Sequence, residues 1–205
     1  MTEAKQKLGV LCSGRGTDLQ SIMDAIDRGE VAAEIAVVLT DKPDAFALER
    51  AAKAGSKAVC VNRTQFDRPE SFAQALVGQL QAAGVTLVVL AGFMRILTPY
   101  FVRQYAGRIM NIHPALLPSF PGAHAHRDVL AYGVKVSGCT VHFVDEGTDS
   151  GPIILQAAVP VLDGDTEETL GARVLEQEHI IYPRAIQLYC EGKLELTGRH
   201  VHLAD

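Results

Sequence analysis

Short apolar runs alternate with amphipathic stretches along the first half of the chain. The apolar runs predict five buried strands, at residues 8–12, 34–40, 58–61, 86–91 and 108–112. The amphipathic stretches predict helices that end at Gly29, Gly55 and Gly84, and a helical turn is predicted at 99–105. Asp67 and Glu70 resemble a capping box at the start of the third helix.

The second half of the chain has a different pattern. A proline-containing loop follows the fifth strand, and two β-rich runs, at 136–144 and 152–161, are separated only by residues 145–151. Because this connection is too short for a crossover helix, the two runs are expected to pair antiparallel. Thr166 is expected to cap a long helix that bends at Pro183, and residues 194–196 are expected to add an edge strand.

These elements predict a three-layer, Rossmann-like α/β fold. Its sheet is expected to be twisted and mostly parallel, with an antiparallel strand pair near the C-terminus. Since no repeat or linker interrupts the pattern, we expect one catalytic domain over residues 1–205. In such a fold the functional site lies at the carboxyl ends of the parallel strands.

Composition argues against several classes of function. The chain of 205 residues carries a net charge of −5 without a local cluster of Lys or Arg, which disfavours a nucleic-acid partner. The four cysteines are far apart with no Cys-x-x-Cys pair, so buried free thiols are expected rather than a zinc site or disulfides. The N-terminus lacks an apolar leader and the longest apolar stretch, 85–94, is too short to span a membrane, so we expect a cytoplasmic protein without membrane contact.

A glycine-containing turn, 14–19, joins the first strand to the first helix. Its free N–H groups and the helix N-terminus suit a phosphate. Leu19 stands where a dinucleotide-binding fingerprint has its third glycine, which disfavours a nicotinamide cofactor. A tight turn without a ligand remains the alternative.

Asn111 and His113 lie at the end of the fifth strand, and the two-residue period of a strand directs both side chains to one side. Catalysis and a structural core histidine are equally compatible with this placement. Asp149, in the 145–151 connection, is either a turn residue or the partner of His113 in an acid–base pair. A metal site at His113, His124, His126 and His142 is disfavoured, because no cysteine or glutamate spacing completes it. These histidines are expected instead to make local hydrogen bonds in a polar site wall.

Six segments together resemble the folate-dependent formyltransferases, and within them the phosphoribosylglycinamide formyltransferases. The segments are 13–20, 44–50, 90–97, 111–118, 121–127 and 149–156. Asn-Ile-His followed by Leu-Leu-Pro is shared by other users of formyltetrahydrofolate. The continuation Pro-Gly-Ala-His-Ala-His-Arg and the short chain are similar to the glycinamide enzymes in particular.

The resemblance implies 10-formyltetrahydrofolate as co-substrate, phosphoribosylglycinamide as acceptor and no metal, and a homodimer is compatible with it. It implies that Asn111, His113 and Asp149 are the catalytic residues. The implied ribonucleotide contacts are Gly16, Thr17, Asp18 and Glu178. The implied folate contacts are Arg68, Met94, Arg95, Ile96, Leu97, Asp145, Glu146, Gly147 and Thr148.

Three positions depart from the family pattern. Asp18 stands where Asn is common, so its carboxylate is expected to turn away from a phosphate. Pro69 stands where some members have an Arg that contacts folate, which leaves Arg68 as the substitute. Leu175 replaces a polar residue that some members use for substrate. Two other functions remain open at this point: hydrolysis of formyltetrahydrofolate by the same three residues, and a dinucleotide-binding domain without catalysis.

Overall fold

One seven-stranded sheet forms the centre of the computed structural model, which describes residues 5–204. The ends of the predicted domain, 1–4 and 205, lie outside the described residues. The strands follow the spatial order β3-β2-β1-β4-β5-β6-β7. Their bounds are Gln6–Cys12 (β1), Ala33–Thr40 (β2), Ala58–Cys60 (β3), Leu87–Leu90 (β4), Ile109–His113 (β5), Val136–Phe143 (β6) and Ile153–Pro160 (β7). Strands β1 to β5 are parallel, and β6 is antiparallel to both of its neighbours, which confirms the predicted fold class.

Within residues 5–204, six α-helices cover the two faces of this sheet. Their bounds are Thr17–Asp27 (α1), Ala47–Lys53 (α2), Pro69–Ala82 (α3), Pro99–Gln104 (α4), Ala125–Tyr132 (α5) and Glu167–Cys190 (α6). One buried apolar cluster joins the sheet to α1, α2, α5 and α6, and a second cluster joins the opposite face to α3 and α4. The buried Tyr182 hydroxyl lies 2.9 Å from the Leu90 carbonyl oxygen and 3.0 Å from that of Met110, which attaches α6 to β4 and β5. None of the helices within residues 5–204 is long and apolar enough to cross a membrane.

The N-terminal ends of two helices test the predicted caps. The prediction for α6 is confirmed, since the Thr166 hydroxyl accepts a hydrogen bond from the Thr169 amide and the Thr169 hydroxyl accepts one from the Thr166 amide. The capping box predicted at Asp67 is wrong. Arg68 is the N-cap of α3, with φ −122° and ψ 143°, because the residue before Pro69 is forced into an extended conformation.

The C-terminal segment differs from its predicted place. Strands Leu194–Thr197 (β8) and His200–Leu203 (β9) pair only with each other as a separate antiparallel hairpin, so the edge strand predicted for the main sheet is wrong. Gly198, with φ 59°, occupies the first position of the two-residue turn between them. This turn returns the chain onto itself, so the segment pairs locally instead of joining β7.

Candidate active site

The polar side chains of β5 and β6 lie on the same face of the sheet. Asn111 is opposite His142 and His113 is opposite Thr140 in the antiparallel register of the two strands. Since directly opposed residues of an antiparallel pair share a face, the four side chains form one polar group. The alternate β5 residues Met110 and Ile112 pack into the apolar cluster on the other face.

Asp149 reaches this polar group from the loop after β6. Its Oδ2 lies 3.3 Å from Nδ1 of His113 and accepts a hydrogen bond from the Gly122 amide at 2.8 Å. Its Oδ1 lies 3.8 Å from Nε2 of His142. The backbone of Asp149 has φ 50°, a left-handed conformation that Asp tolerates better than most residues. The loop therefore places a carboxylate between two imidazole rings.

His113 is buried and has an acceptor at each ring nitrogen. Nδ1 faces the Asp149 carboxylate, and Nε2 lies 2.8 Å from the carbonyl oxygen of Phe120. A neutral imidazole carries one N–H and can donate to only one of these acceptors, whereas an imidazolium donates to both. The ring of His113 is therefore held from both of its nitrogens.

His142 has different neighbours at its two ring nitrogens. Its Nδ1 lies 2.9 Å from the carbonyl oxygen of Phe143, and its Nε2 lies 3.1 Å from Nδ2 of Asn111. These neighbours fit a neutral ring that donates from Nδ1 and accepts the Asn111 amide at Nε2. Burial lowers the pKa of His142, which favours the same neutral form. One amide hydrogen of Asn111 is thereby directed, and the other is available to a ligand.

The turn predicted to suit a phosphate joins β1 to α1. Gly16 has φ 68°, and a Cβ atom there would lie 2.9 Å from Cβ of Ala47, so both the backbone and the space require glycine. Thr17 begins α1, and Asp18 in its first turn is buried. Oδ1 of Asp18 lies 3.7 Å from Nε2 of His179 on α6, so the carboxylate is directed toward α6.

Asp18 and Glu178 form a buried acidic pair between α1 and α6. Burial raises the pKa of both carboxyl groups, and the charge of Asp18 raises that of Glu178 further. The two groups therefore hold protons more tightly than exposed carboxyl groups do. Glu178, a predicted ribonucleotide contact, is buried and lies close enough to Asp18 for the charge of Asp18 to raise its pKa.

The predicted folate residues divide into separate groups. Arg95, Ile96 and Leu97 line a cavity of about 140 Å³ together with Pro69 and Arg63. Arg63, which the sequence pattern does not single out, lines this cavity, whereas Arg68 is not among its lining residues. The Arg95 guanidinium donates to the buried carboxylate of Asp41 at 2.7 Å.

Met94 lies beside this cavity and its side chain is exposed, whereas its amide donates to the Ser13 hydroxyl at 2.9 Å. The remaining predicted contacts, 145–148, form the turn that precedes Asp149. The Asp145 carboxylate accepts from the Gly147 amide at 3.0 Å, and Glu146 pairs with Arg103 of α4 at 3.1 Å. Side-chain contacts of Asp145 and Glu146 are therefore made within the protein, and Gly147 and Thr148 offer mainly backbone.

The paired residues that metal binding, disulfide formation or a serine nucleophile would require are not found within residues 5–204. Residues 5–204 contain no group of three or more His, Cys, Asp or Glu arranged to hold a metal ion. All four cysteines fall in this range and are free thiols, with Cys12 and Cys139 buried and Cys60 and Cys190 half-buried. The Ser150 hydroxyl donates to Asp145, so it is held within the loop rather than by a histidine.

Known proteins resemble this chain in both sequence and fold. The formyl transferase family model matches residues 6–186. Phosphoribosylglycinamide formyltransferase of Escherichia coli is 46% identical over 91% of this chain and 88% of its own length. The trifunctional purine biosynthetic protein adenosine-3 of Drosophila pseudoobscura is 47% identical over 95% of this chain, which spans only 14% of that relative. The crystal structure of glycinamide ribonucleotide transformylase 1 from Symbiobacterium toebii superposes with a TM-score of 0.97 at 51% identity, over 98% of this chain and 95% of that one.

Proposed function

The chain belongs to the formyl transferase family, and from that premise we propose that it transfers the formyl group of 10-formyltetrahydrofolate to the amine of 5-phosphoribosylglycinamide. The products are formylglycinamide ribonucleotide and tetrahydrofolate, as part of purine biosynthesis. The single observation that supports this most strongly is the contact of the Asp149 carboxylate with Nδ1 of the buried His113, beside Asn111.

The proposed reaction begins with attack of the acceptor amine on the formyl carbon. A tetrahedral intermediate forms, and negative charge develops on the formyl oxygen. The free amide hydrogen of Asn111 and an N–H of protonated His113 donate hydrogen bonds to this oxygen. Loss of one such donor typically costs about 2.7–4 kcal/mol of transition-state stabilisation.

Proton transfer completes the reaction. The attacking amine loses a proton, and the folate nitrogen gains one as its bond to the formyl carbon breaks. Asp149 orients the His113 ring through its contact with Nδ1 and, directly or through water, helps to move this proton. General acid–base assistance of this kind typically contributes about 10² to 10⁴-fold in rate.

One ring nitrogen of His113 already has a protein acceptor close to it. Nε2 of His113 is within hydrogen-bonding distance of the Phe120 carbonyl, so the formyl oxygen must replace this acceptor or approach beside it. Phe120 has φ 55° and lies in the loop between β5 and α5. The proposal therefore includes a shift of this loop when substrates bind.

The two substrates are proposed to bind on opposite sides of Asn111, His113 and Asp149. The backbone N–H groups of Gly16 and Thr17 donate hydrogen bonds to the phosphate at the start of α1. The Asp18 carboxylate stays turned toward α6, and Glu178 contacts the ribose. The folate is proposed to lie along residues 94–97 and the backbone of 145–148, with Arg63 or Arg68 near its acidic end.

The experiment tests whether turnover of 10-formyltetrahydrofolate depends on the acceptor. Loss of 10-formyltetrahydrofolate is followed with purified protein in the presence and absence of phosphoribosylglycinamide. The proposal expects turnover only with the acceptor, and expects His113→Ala to abolish most of it. Equal formate release without the acceptor would instead identify a hydrolase that uses water in place of the amine.

A further inference from the structure

The C-terminal hairpin lies behind the loop that carries Asp149. Strands β8 and β9 fall after residue 186, where the match to the family model ends. Arg199, in the turn of this hairpin, donates a hydrogen bond from Nη1 to the carbonyl oxygen of Ser150 at 2.9 Å. Ser150 directly follows Asp149 in the chain, so the hairpin contacts the main chain next to the carboxylate.

The loop itself is tightly folded at its base. A Cβ atom on Gly151 would lie 1.8 Å from the Phe143 carbonyl oxygen, and one on Gly147 would lie 2.0 Å from the Ser150 hydroxyl. The same hydroxyl donates to the Asp145 carboxylate at 2.7 Å. These contacts fix the shape of the loop but do not by themselves fix its distance from His113.

The space behind the loop is open. A cavity of about 460 Å³ lies between the loop, α4 and the hairpin, and its lining includes Phe143, Pro152, Leu196 and Arg199. Since close-packed side chains are what usually hold a loop in place, a loop that backs onto such a space depends on its polar contacts. On this side they come from Arg199 and from the pair of Arg103 with Glu146.

We propose that Arg199 is a positioning residue that holds the main chain beside Asp149 and thereby keeps the carboxylate against His113. The proposal rests on the proposed function, because it assigns Arg199 to the geometry of the same site. Through this contact the hairpin, whose strands pair with each other and not with the main sheet, would contribute to the geometry of the active site.

The kinetic test compares Arg199→Ala with Arg199→Lys and with the control His202→Ala. His202 is exposed on the same hairpin, where its ring stacks on that of His200. Arg199→Ala is expected to lower kcat about three- to tenfold, the range that loss of one hydrogen bond represents, with both KM values within about twofold. Arg199→Lys keeps a cationic donor and should recover part of the loss, whereas His202→Ala should behave as the unmodified protein.

A second experiment tests whether Arg199→Ala lowers kcat by way of Asp149. In an Asp149→Asn background, removal of the Arg199 side chain should lower kcat no further, since the carboxylate that it positions is already gone. Hydrogen exchange of the backbone amides in residues 145–151 should be faster in Arg199→Ala and unchanged in His202→Ala.

Two results would overturn the inference: an equal additional loss of kcat in the Asp149→Asn background, or unchanged exchange in the loop. Absence of acceptor-dependent transfer by the unmodified protein would refute the proposed function instead. The exchange measurement would still decide in that case whether Arg199 holds the loop.

Discussion

The carboxylate of Asp149 lies 3.3 Å from Nδ1 of His113, although 35 positions of sequence separate the two residues and they belong to different elements. His113 ends the last parallel strand of the sheet, and Asp149 sits in the loop after the antiparallel strand next to it. Main chain contacts each of them: the Phe120 carbonyl lies 2.8 Å from Nε2 of His113, and the Gly122 amide donates to Oδ2 of Asp149, the oxygen that faces His113. The loop between β5 and α5 therefore contacts both members of the pair.

Replacement of Asp149 by Asn tests the acid–base role. Asn is close in shape and also tolerates the φ of 50° at this position, so the fold should be retained. Loss of the charge beside His113 should lower kcat by about 10² to 10⁴-fold, with smaller changes in the two KM values. Steady-state kinetics with both substrates measures this. Turnover within a few-fold of the unmodified protein would remove Asp149 from the mechanism.

A second prediction concerns Asn111 and the histidine that directs it. Asn111→Ala should lower kcat by about 10² to 10³-fold, the cost of losing one oxyanion donor. His142→Ala should cost less, because it leaves the amide in place but undirected. Since both changes act on one hydrogen bond, the double variant should be little worse than Asn111→Ala alone. Additive losses would mean that His142 acts independently of Asn111.

The buried acidic pair should make stability depend on pH. The folded-state pKa values of Asp18 and Glu178 lie above their unfolded values, so the pair contributes stability below about pH 4 and loses it as the pH rises through the raised values. Asp18→Asn removes one of the two acids. The free energy of unfolding should therefore decline less between pH 5 and pH 9 in this variant, by at least about 1 kcal/mol.

Chemical denaturation at a series of pH values measures that difference. Asp27→Asn, at the exposed C-terminal end of the same helix, is the matched control and should leave the pH dependence unchanged. Parallel curves for the unmodified protein and Asp18→Asn would show that the pair is not linked to folding.

The glycine at the start of α1 offers a prediction with an internal control. Gly16 and Gly29 have similar backbone angles, φ 68° and φ 74°, but only a Cβ at Gly16 meets another residue, at 2.9 Å from Ala47. Both alanine variants should destabilise the fold by at least about 1 kcal/mol through backbone strain. Gly16→Ala should cost more and should also raise KM for the phosphorylated acceptor. Equal costs and unchanged KM would argue against a tightly packed phosphate turn.

The sequence predicts most of the central sheet, because its strands are continuous apolar runs between glycine-terminated helices. The common face of Asn111 and His113 follows from the strand period alone, and their placement at the end of β5 was predicted correctly. The approach of Asp149 to His113 is one of two possibilities that the sequence leaves open, since a loop carries no periodic signal. The structure resolves it by placing the carboxylate at the ring.

What the sequence does not predict depends on pairing between distant segments. The sequence predicts His142 only as one of several histidines in a polar site wall, and its pairing opposite Asn111 depends on the register of two strands that are distant in the chain. The self-paired hairpin and the contact of Arg199 with Ser150 depend on how a terminal segment folds back, which local pattern does not encode. The same holds for Arg63, which reaches the cavity from a short 3-10 turn.

The most direct measurement of the central claim follows the formyl carbon itself. 10-Formyltetrahydrofolate labelled with ¹³C in the formyl group is incubated with the protein and phosphoribosylglycinamide, and the carbon is observed by NMR. The account predicts that the label moves to the amide of formylglycinamide ribonucleotide with the unmodified protein, and moves at most slowly with His113→Ala. Appearance of the label in formate at the same rate with or without the acceptor would contradict it.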